Sequence, residues 1–257
     1  MLVCVLASGS SGNATYVAEK NTAILVDAGL SGRAIERRLS TIGADGKRLS
    51  AIVVTHEHTD HVSGVGVLAR RFRLPIYANG ATFDSVKPLL RGKERIEIFE
   101  HGTAFVVGDL ILHPFSVSHD AADPSGFVIA NGTSGVGIAT DLGCVTHLVR
   151  ARLRGTDLVV LESNHDAHML WEGSYPWELK QRIRGRFGHL SNEEAAQTIR
   201  ELAQTGLRRG VLAHLSRENN RPELARESVS KALREIGADG FQLSIAEQDT
   251  VGERIRI

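Results

Sequence analysis

Seven consecutive residues, Thr55-His56-Glu57-His58-Thr59-Asp60-His61, constrain this chain more than any other stretch. They set three imidazoles and a carboxylate in the spacing H-x-H-x-D-H, directly after the apolar, β-branched run Ala51-Ile52-Val53-Val54. Such a run ending in a polar loop predicts a buried strand that delivers its last residues to a site. A single histidine is usually a surface residue or a satisfied core residue, but that reading does not account for a cluster this dense. Imidazole and carboxylate together suit a borderline divalent cation, with zinc, manganese or iron all served, and no thiolate selects a softer metal.

The 257 residues suffice for one large α/β domain or two small ones. No linker rich in Pro, Gly or Ser divides the chain, so a single domain over 1–257 is expected. Met1 to Leu6 lacks the basic and long apolar regions of a signal segment, and no run approaches the roughly 20 apolar residues of a membrane span. A soluble, cytoplasmic protein without a membrane partner is therefore expected. Cys4 and Cys144 are too few for a disulfide scaffold and are read as inert thiols. Formal net charge is zero, so any nucleic-acid surface must be local and not a global field. Two alternating basic sets qualify, Lys180, Arg182, Arg184 and Arg186, and Arg150, Arg152 and Arg154, although either also reads as a solvated face.

Taken in order, the chain alternates short apolar runs with turns and amphipathic stretches. Strands are expected at Leu2 to Leu6, Ala14 to Val17 and Thr22 to Val26, with the small-residue turn Ser8 to Asn13 between the first two. Ser31 caps a helix carrying Ile35, Leu39 and Ile42. Beyond the histidine cluster, Val62 to Phe72 reads as one helix, Pro75 to Tyr77 as a strand and Thr82 to Leu90 as a helix. Further strands are read at Arg95 to Phe99, Ala104 to Val107, Leu110 to Phe115, Gly126 to Ala130, Gly135 to Thr140, Leu158 to Leu161 and Phe241 to Ile245. Pro222 opens a helix running towards Ile236, and Ser191 with Glu194 forms a capping box. His119 in the loop after one strand, taken alone, reads as an exposed histidine. Asp141 after another could merely cap the next helix, but together with His119 and the cluster it reads as a ligand. The order of strands and helices is roughly doubled across the two halves.

With its histidine cluster, Asp27, His119, Asp141 and His214, the chain resembles the metallo-β-lactamase superfamily over nearly its whole length. That likeness implies an αββα sandwich, two sheets face to face with helices outside. It implies one divalent ion held by His56, His58 and His119, a second held by Asp60, His61 and His214, and Asp141 bridging them. Asp27 then supports the histidine loop without binding metal. Such a pair of ions, Zn or Mn with Fe also admitted, would share a bridging hydroxide as nucleophile, and Asp60 would help orient it.

A glutamate after a strand, a histidine before a helix and a last histidine after a strand are similar to the arrangement in tRNA 3′-end-processing endonucleases. Carried over, that makes Glu162 and His189 a proton-donating pair for a leaving 3′ oxygen. Ser8-Gly9-Ser10-Ser11-Gly12-Asn13, Ser163-Asn164-His165-Asp166 and Arg217 to Glu223 resemble the YycJ/WalJ-type branch, whose members are described as exonucleases. The implied activity is a DNA exonuclease working from the 5′ end, with Ser11, Asn13, Asn164, Arg217 and Asn220 as candidate substrate contacts and DNA repair as its setting. Local capping and turn formation explain those contacts as well. His165 and His168 are read as non-ligands. No long insertion separates Asp141 from His214, so the part that closes over the substrate in larger nucleases of this fold is missing and the cleft should be open. A small-molecule phosphodiesterase is the competing enzymatic reading, and a non-catalytic regulatory partner is the third. Self-association is compatible with all three.

Overall fold

A computed structural model describes all residues, 1–257. The first half contains strands β1 (Leu2–Ala7), β2 (Ala14–Glu19) and β3 (Thr22–Val26), helix α1 (Gly32–Thr41), β4 (Ala51–Val53), helices α2 (Thr59–Val62) and α3 (Val65–Phe72), β5 (Ile76–Asn79), α4 (Gly80–Val86) and β6 (Ile96–Phe99). The second contains β7 (Phe105–Val107), β8 (Leu110–Ser116), β9 (Ser125–Ala130), β10 (Gly135–Ala139), α5 (His147–Leu153), β11 (Leu158–Glu162), α6 (Ala167–Glu172) and α7 (Trp177–Arg184). It closes with α8 (Asn192–Gln204), β12 (Arg209–Ala213), α9 (Pro222–Arg234), β13 (Gln242–Ile245) and β14 (Ile255–Arg256).

The strands form two seven-stranded sheets, ordered β14-β1-β2-β3-β4-β5-β6 and β13-β12-β11-β10-β9-β8-β7. In both, three antiparallel pairings adjoin three parallel ones. The switch comes at β3–β4 in the first sheet and at β10–β11 in the second. This is the αββα sandwich anticipated above, and it explains the doubled order of elements.

Side-chain alternation along each strand divides the apolar residues into three layers. Val3, Val17, Ile24, Val26 and Val53 face Leu112, Phe127, Ile129 and Val160 between the sheets. Their strand neighbours on the opposite face, such as Leu25 and Ile52, pack with Leu6 under Ile35, Leu39 and Leu68 from α1 and α3. On the far side, Phe115 and Leu161 lie beneath Ile199 and Leu202 of α8 and Val229 of α9. Ser31 caps α1 through Ala34 N at 3.3 Å, and the Ser191–Glu194 capping box opens α8. Pro222 starts α9 where its missing N–H costs nothing. No helix is long and apolar enough to cross a membrane.

Two helices differ from the sequence expectation. The stretch read as Val62 to Phe72 is two helices, and the first begins at Thr59, so Asp60 and His61 stand in a helical turn. The break lies at Ser63 and Gly64: Gly64 N donates to Ala28 O at 2.7 Å, and a Cβ there would lie 2.2 Å from Leu30 O. Only glycine permits this close approach. The helix read as Thr82 to Leu90 ends at Val86 and tightens into a 3-10 turn at Lys87–Leu89, as expected where Pro88 disfavours helical geometry before it. Helices α5, α6 and α7 and the edge strand β14 carry too little apolar pattern to be read from the sequence. α7 is unusual in having no buried residue.

Candidate metal centre

All the candidate ligands gather at one rim of the sandwich, where the parallel strands of both sheets end. Asp27 follows β3, Thr55 and His56 follow β4, Asp141 follows β10, Glu162 ends β11 and His214 follows β12. His119 lies on the β8–β9 loop, and His189 precedes α8. The chain must turn sharply to aim these side chains inward. Asp27, Asp141 and His214 have φ of 63°, 56° and 55°, a left-handed conformation uncommon outside glycine, although Asp and His adopt it more often than most residues. The only other non-glycine residues there are Lys20 and Arg73. Backbone strain thus collects at the rim, as it does at sites held in place by surrounding structure.

Asp27 organises the histidine loop. Its Oδ1 accepts from Thr55 N and its Oδ2 from Thr55 Oγ1, both at 2.8 Å, and Oδ2 lies 2.8 Å from His61 Nδ1. That contact fixes the ring so that Nε2 of His61 turns towards Asp141 Oδ2, 3.2 Å away. Glu162 performs the same task on the other sheet. Fully buried, it places Oε1 at 2.9 Å from His214 Nδ1 and 2.7 Å from His189 Nδ1, while Oε2 accepts from Leu142 N at 2.8 Å. Orienting imidazoles through carboxylates in this way raises their quality as ligands.

Four groups of side chains bring donor atoms within 4.8 Å of one another: His56, His58 and His119; Asp60, His61 and His214; His56, His61 and Asp141; and Asp141, Glu162, His189 and His214. The first two coincide with the two ligand sets expected from the sequence, and Asp141 stands in contact with both. The fourth brings Glu162 and His189 within reach of a cation too, a geometry the sequence reading did not contain. Two buried ligand atoms here, His119 Nε2 and His214 Nε2, make no hydrogen bond, and Asp141 Oδ2 has only His61 Nε2 beside it, at 3.2 Å. Buried polar atoms are rarely left orphaned. Lone pairs converging without a protein partner, from imidazole and carboxylate alone, fit divalent cations of the zinc and manganese kind.

The electrostatics agree. Burial drives His56 well below the ordinary imidazole range, with His61 adding to it, and burial likewise lowers His119. Both are therefore neutral and ready to coordinate. Burial opposes charge on His61 as well, but Asp141 and Asp27 outweigh it and lift the imidazole to about 10. Burial opposes charge on Asp141, yet His214 and His61 hold it well below the carboxylate range. Glu162 is pulled to about 2 against its burial by His189 and His214, and His189 is raised against its own burial chiefly by Glu162. The protons that bind these pairs are the ones a cation would displace.

The centre opens into a cleft of ≈320 Å³ lined by His58, Asp60, His119, Asp141, His189 and His214. Of the candidate substrate contacts, Asn164 lines it, and its amide also donates to His214 O at 2.8 Å. Asn13 is buried against the ligands, its amide 3.1 Å from Asp60 Oδ2 and 3.0 Å from His61 Nε2. Ser11 is exposed and is not among the residues lining the cleft, although its neighbour Ser10 is; its backbone N–H donates to Gln248 Oε1 at 2.7 Å. Arg217 points to Asp249 at 2.6 Å, and Asn220 is buried, spending its amide on Ser163 O and Asn164 O at 2.9 and 3.0 Å. These last two do not reach the cleft. His165 is buried outside every donor group, and burial lowers it to about 4. One wall of the cleft escaped sequence reasoning: Tyr175, Leu179, Ile183 and Phe187 from and around α7. Their spacing of four is visible in the sequence, but the segment holds too few apolar residues to stand out as a helix.

A family model described as "Beta-lactamase superfamily domain" matches residues 22–215. An exodeoxyribonuclease YycJ of Bacillus anthracis is 42% identical over 235 residues, 91% of this chain and 89% of that protein. An exodeoxyribonuclease WalJ of Streptococcus pneumoniae is 38% identical over 254 residues, 96% and 94% of the two chains. Among solved structures, the metallo-β-lactamase fold protein YhfI of Bacillus subtilis superposes with a TM-score of 0.75 at 16% identity, covering 99% of both chains.

Proposed function

The chain belongs to the β-lactamase superfamily and is a metal-dependent hydrolase, and from that premise we propose that it is a DNA exonuclease working from the 5′ end with two divalent ions. We read residues 1–257 as one domain of that fold. One ion would be held by His56, His58 and His119, the other by Asp60, His61 and His214, with Asp141 between them. When bound, such a pair supplies a water activated at neutral pH and a clamp on the attacking and leaving oxygens of a phosphodiester.

The remaining steps belong to the chain. Asp60, fixed by the amide of Asn13 at 3.1 Å, would orient the attacking water. Glu162 anchors both His214 and His189 through one oxygen, so removing it would misalign a ligand and a proton donor together. With Nδ1 engaged by Glu162, His189 presents Nε2 to the cleft, and the raised imidazole keeps a proton there to give to the departing oxygen. General acid catalysis of this kind contributes roughly 10²- to 10⁴-fold. The Glu162–His189 contact carries the choice of phosphodiesters over thioesters or lactones, whose leaving groups need a donor less. DNA over other polymers, and attack from the 5′ end, are supported by the likeness to the YycJ/WalJ branch.

The test is cleavage of 5′- and 3′-labelled DNA and RNA with added manganese or zinc, comparing the parent with Asp60→Asn. Metal-dependent shortening of DNA from the 5′ end, lost in the variant, is the expected result. Turnover of a small phosphodiester without shortening of any polymer would overturn it in favour of a small-molecule phosphodiesterase.

A further inference from the structure

Gln248 is buried between two exposed neighbours, Glu247 and Asp249, in the segment that follows β13. Its side-chain amide lies against the turn between β1 and β2. Oε1 accepts from Ser11 N at 2.7 Å and Nε2 donates to Gly12 O at 2.8 Å, so one side chain serves a main-chain donor and a main-chain acceptor as the peptide unit of a strand would. It packs so closely there that a Cβ at Gly9 would lie 2.7 Å from Oε1. The Gln248 backbone is anchored in turn: the Arg38 guanidinium donates to Gln248 O at 2.9 Å and to Leu6 O at 2.6 Å. A buried amide engaged at both atoms is a fixed strut, and no step of the proposed reaction uses it.

The turn it holds joins the two halves of the metal centre. At one end Ser8 Oγ accepts from His214 N at 2.7 Å, and at the other Asn13 N donates to Asp60 O at 2.7 Å. Both ends keep these bonds without the Gln248 side chain. What that side chain alone fixes is the tip, where Ser11 N is spent on it. Ser10, the other tip residue, is exposed and lines the cleft with Asp60, Asp141 and His214, and neither its N–H nor its hydroxyl bonds within the chain. Two free donors on a small-residue turn, facing a cavity floored by cation ligands, suit an anionic group rich in oxygen, and backbone N–H and serine hydroxyl groups are ordinary partners of phosphate.

We propose that Ser10 donates to a non-bridging oxygen of the phosphodiester held at the metal floor, and that Gln248 is the positioning residue that keeps Ser10 there. This rests on the phosphodiester part of the reading above and adds to it a substrate contact and its support. Ser11, the contact expected from the sequence, spends its N–H on holding the turn. The candidate metal ligands make no bond to the Gln248 side chain, so loss of its amide reaches the substrate through Ser10 and leaves the ions in place.

The experiment compares the parent, Ser10→Ala, Gln248→Met, Gln248→Glu and the double variant Ser10→Ala/Gln248→Met, all as metal-loaded full chains, on a labelled oligodeoxynucleotide and on bis(p-nitrophenyl) phosphate. Losing one hydrogen bond to a charged oxygen should raise KM about tenfold in Ser10→Ala, with kcat and metal content near those of the parent. Gln248→Met keeps the bulk, loses both polar contacts and should match it. Gln248→Glu keeps an acceptor for Ser11 N but sets an oxygen against Gly12 O, and should not rescue. The double variant should be no worse than either single one, because both act on one contact. A parent-like KM in Ser10→Ala or additive losses in the double variant overturns the proposal. Loss of metal or of folding in Gln248→Met overturns the positioning role, with Ser10→Ala still deciding on the contact. Affinity for inorganic phosphate, measured by calorimetry on the metal-loaded chains, makes the same comparison without turnover. If the small ester is cleaved and no DNA is, the nuclease reading is what fails, and the comparison of Ser10 and Gln248 variants still decides on the turn.

Discussion

The floor and the wall of the cleft are built on opposite principles. On the floor, His56, His61, Asp141, Glu162 and His214 are all buried, and their carboxylates and imidazoles lie within hydrogen-bond reach of one another. On the wall, α7 buries nothing, and its cations mostly meet solvent. The floor has one stable arrangement because moving any member strands another buried charge. The wall strands no buried charge of this kind. The buried charges thus gather on one side of the cleft, and the exposed cations on the other.

The sharpest break of this contrast is Asp141→Ala. It removes the carboxylate that touches both ligand sets, so metal analysis should find both ions lost and hydrolysis at background. An unchanged two-metal stoichiometry would remove the bridging role. His189→Ala should come next, leaving metal content near normal while kcat falls roughly 10²- to 10⁴-fold. Loss of metal in that variant would instead favour the geometry that groups His189 with Asp141, Glu162 and His214 around a cation.

Asp27→Asn should be milder. It keeps the shape but weakens the hold on Thr55 and His61, and metal titration should show affinity reduced about 10- to 100-fold. On the wall, Arg186→Ala should change kcat little and make the slope of log affinity against log salt shallower by about 0.7, one single-strand phosphate contact. A full loss of activity there would show that the wall is as exacting in its composition as the floor.

The smallest effect is a control remote from both. Glu94 accepts from Arg91 N, Lys93 N and the Arg70 guanidinium, and these hold its carboxyl at about 2 against the ordinary 4.5. A depressed carboxyl stabilises the fold fully above its unfolded value and loses that contribution as pH falls towards the folded one. Acid unfolding curves of Glu94→Gln should therefore lose part of the decline between pH 4.5 and 2, with no change in metal content.

The same contrast explains what the sequence made legible. Four of the floor ligands fall between His56 and His61, and a motif that dense announces itself. Its supports were less visible: nothing in the residue types at Asp27, Asp141 or His214 reveals the left-handed backbone that aims them. The sequence pairs Glu162 with His189, but its equal contact with His214 depends on two strands pairing in register, Glu162 opposite Ala213. Strands with continuous apolar runs were readable because burial on both faces leaves no other composition. Helices α6 and α7 were not, because only Leu170 among their residues is buried and no core periodicity marks them. Asn220 shows the other side of motif reading: its motif suggests contact with substrate, and its amide bonds Ser163 O and Asn164 O after β11 and Asn192 Oδ1 at the start of α8.

The doubled sheets have a consequence for assembly. His56, His58, Asp60 and His61 stand on one half of the chain and His119, Asp141 and His214 on the other, so neither half carries the whole candidate ligand set. A cation that binds only the docked halves is therefore a thermodynamic rivet. At a free concentration a thousand times its Kd, it would hold the seam closed by about 4 kcal/mol, and stripping it would lower the cost of parting the sandwich by the same amount.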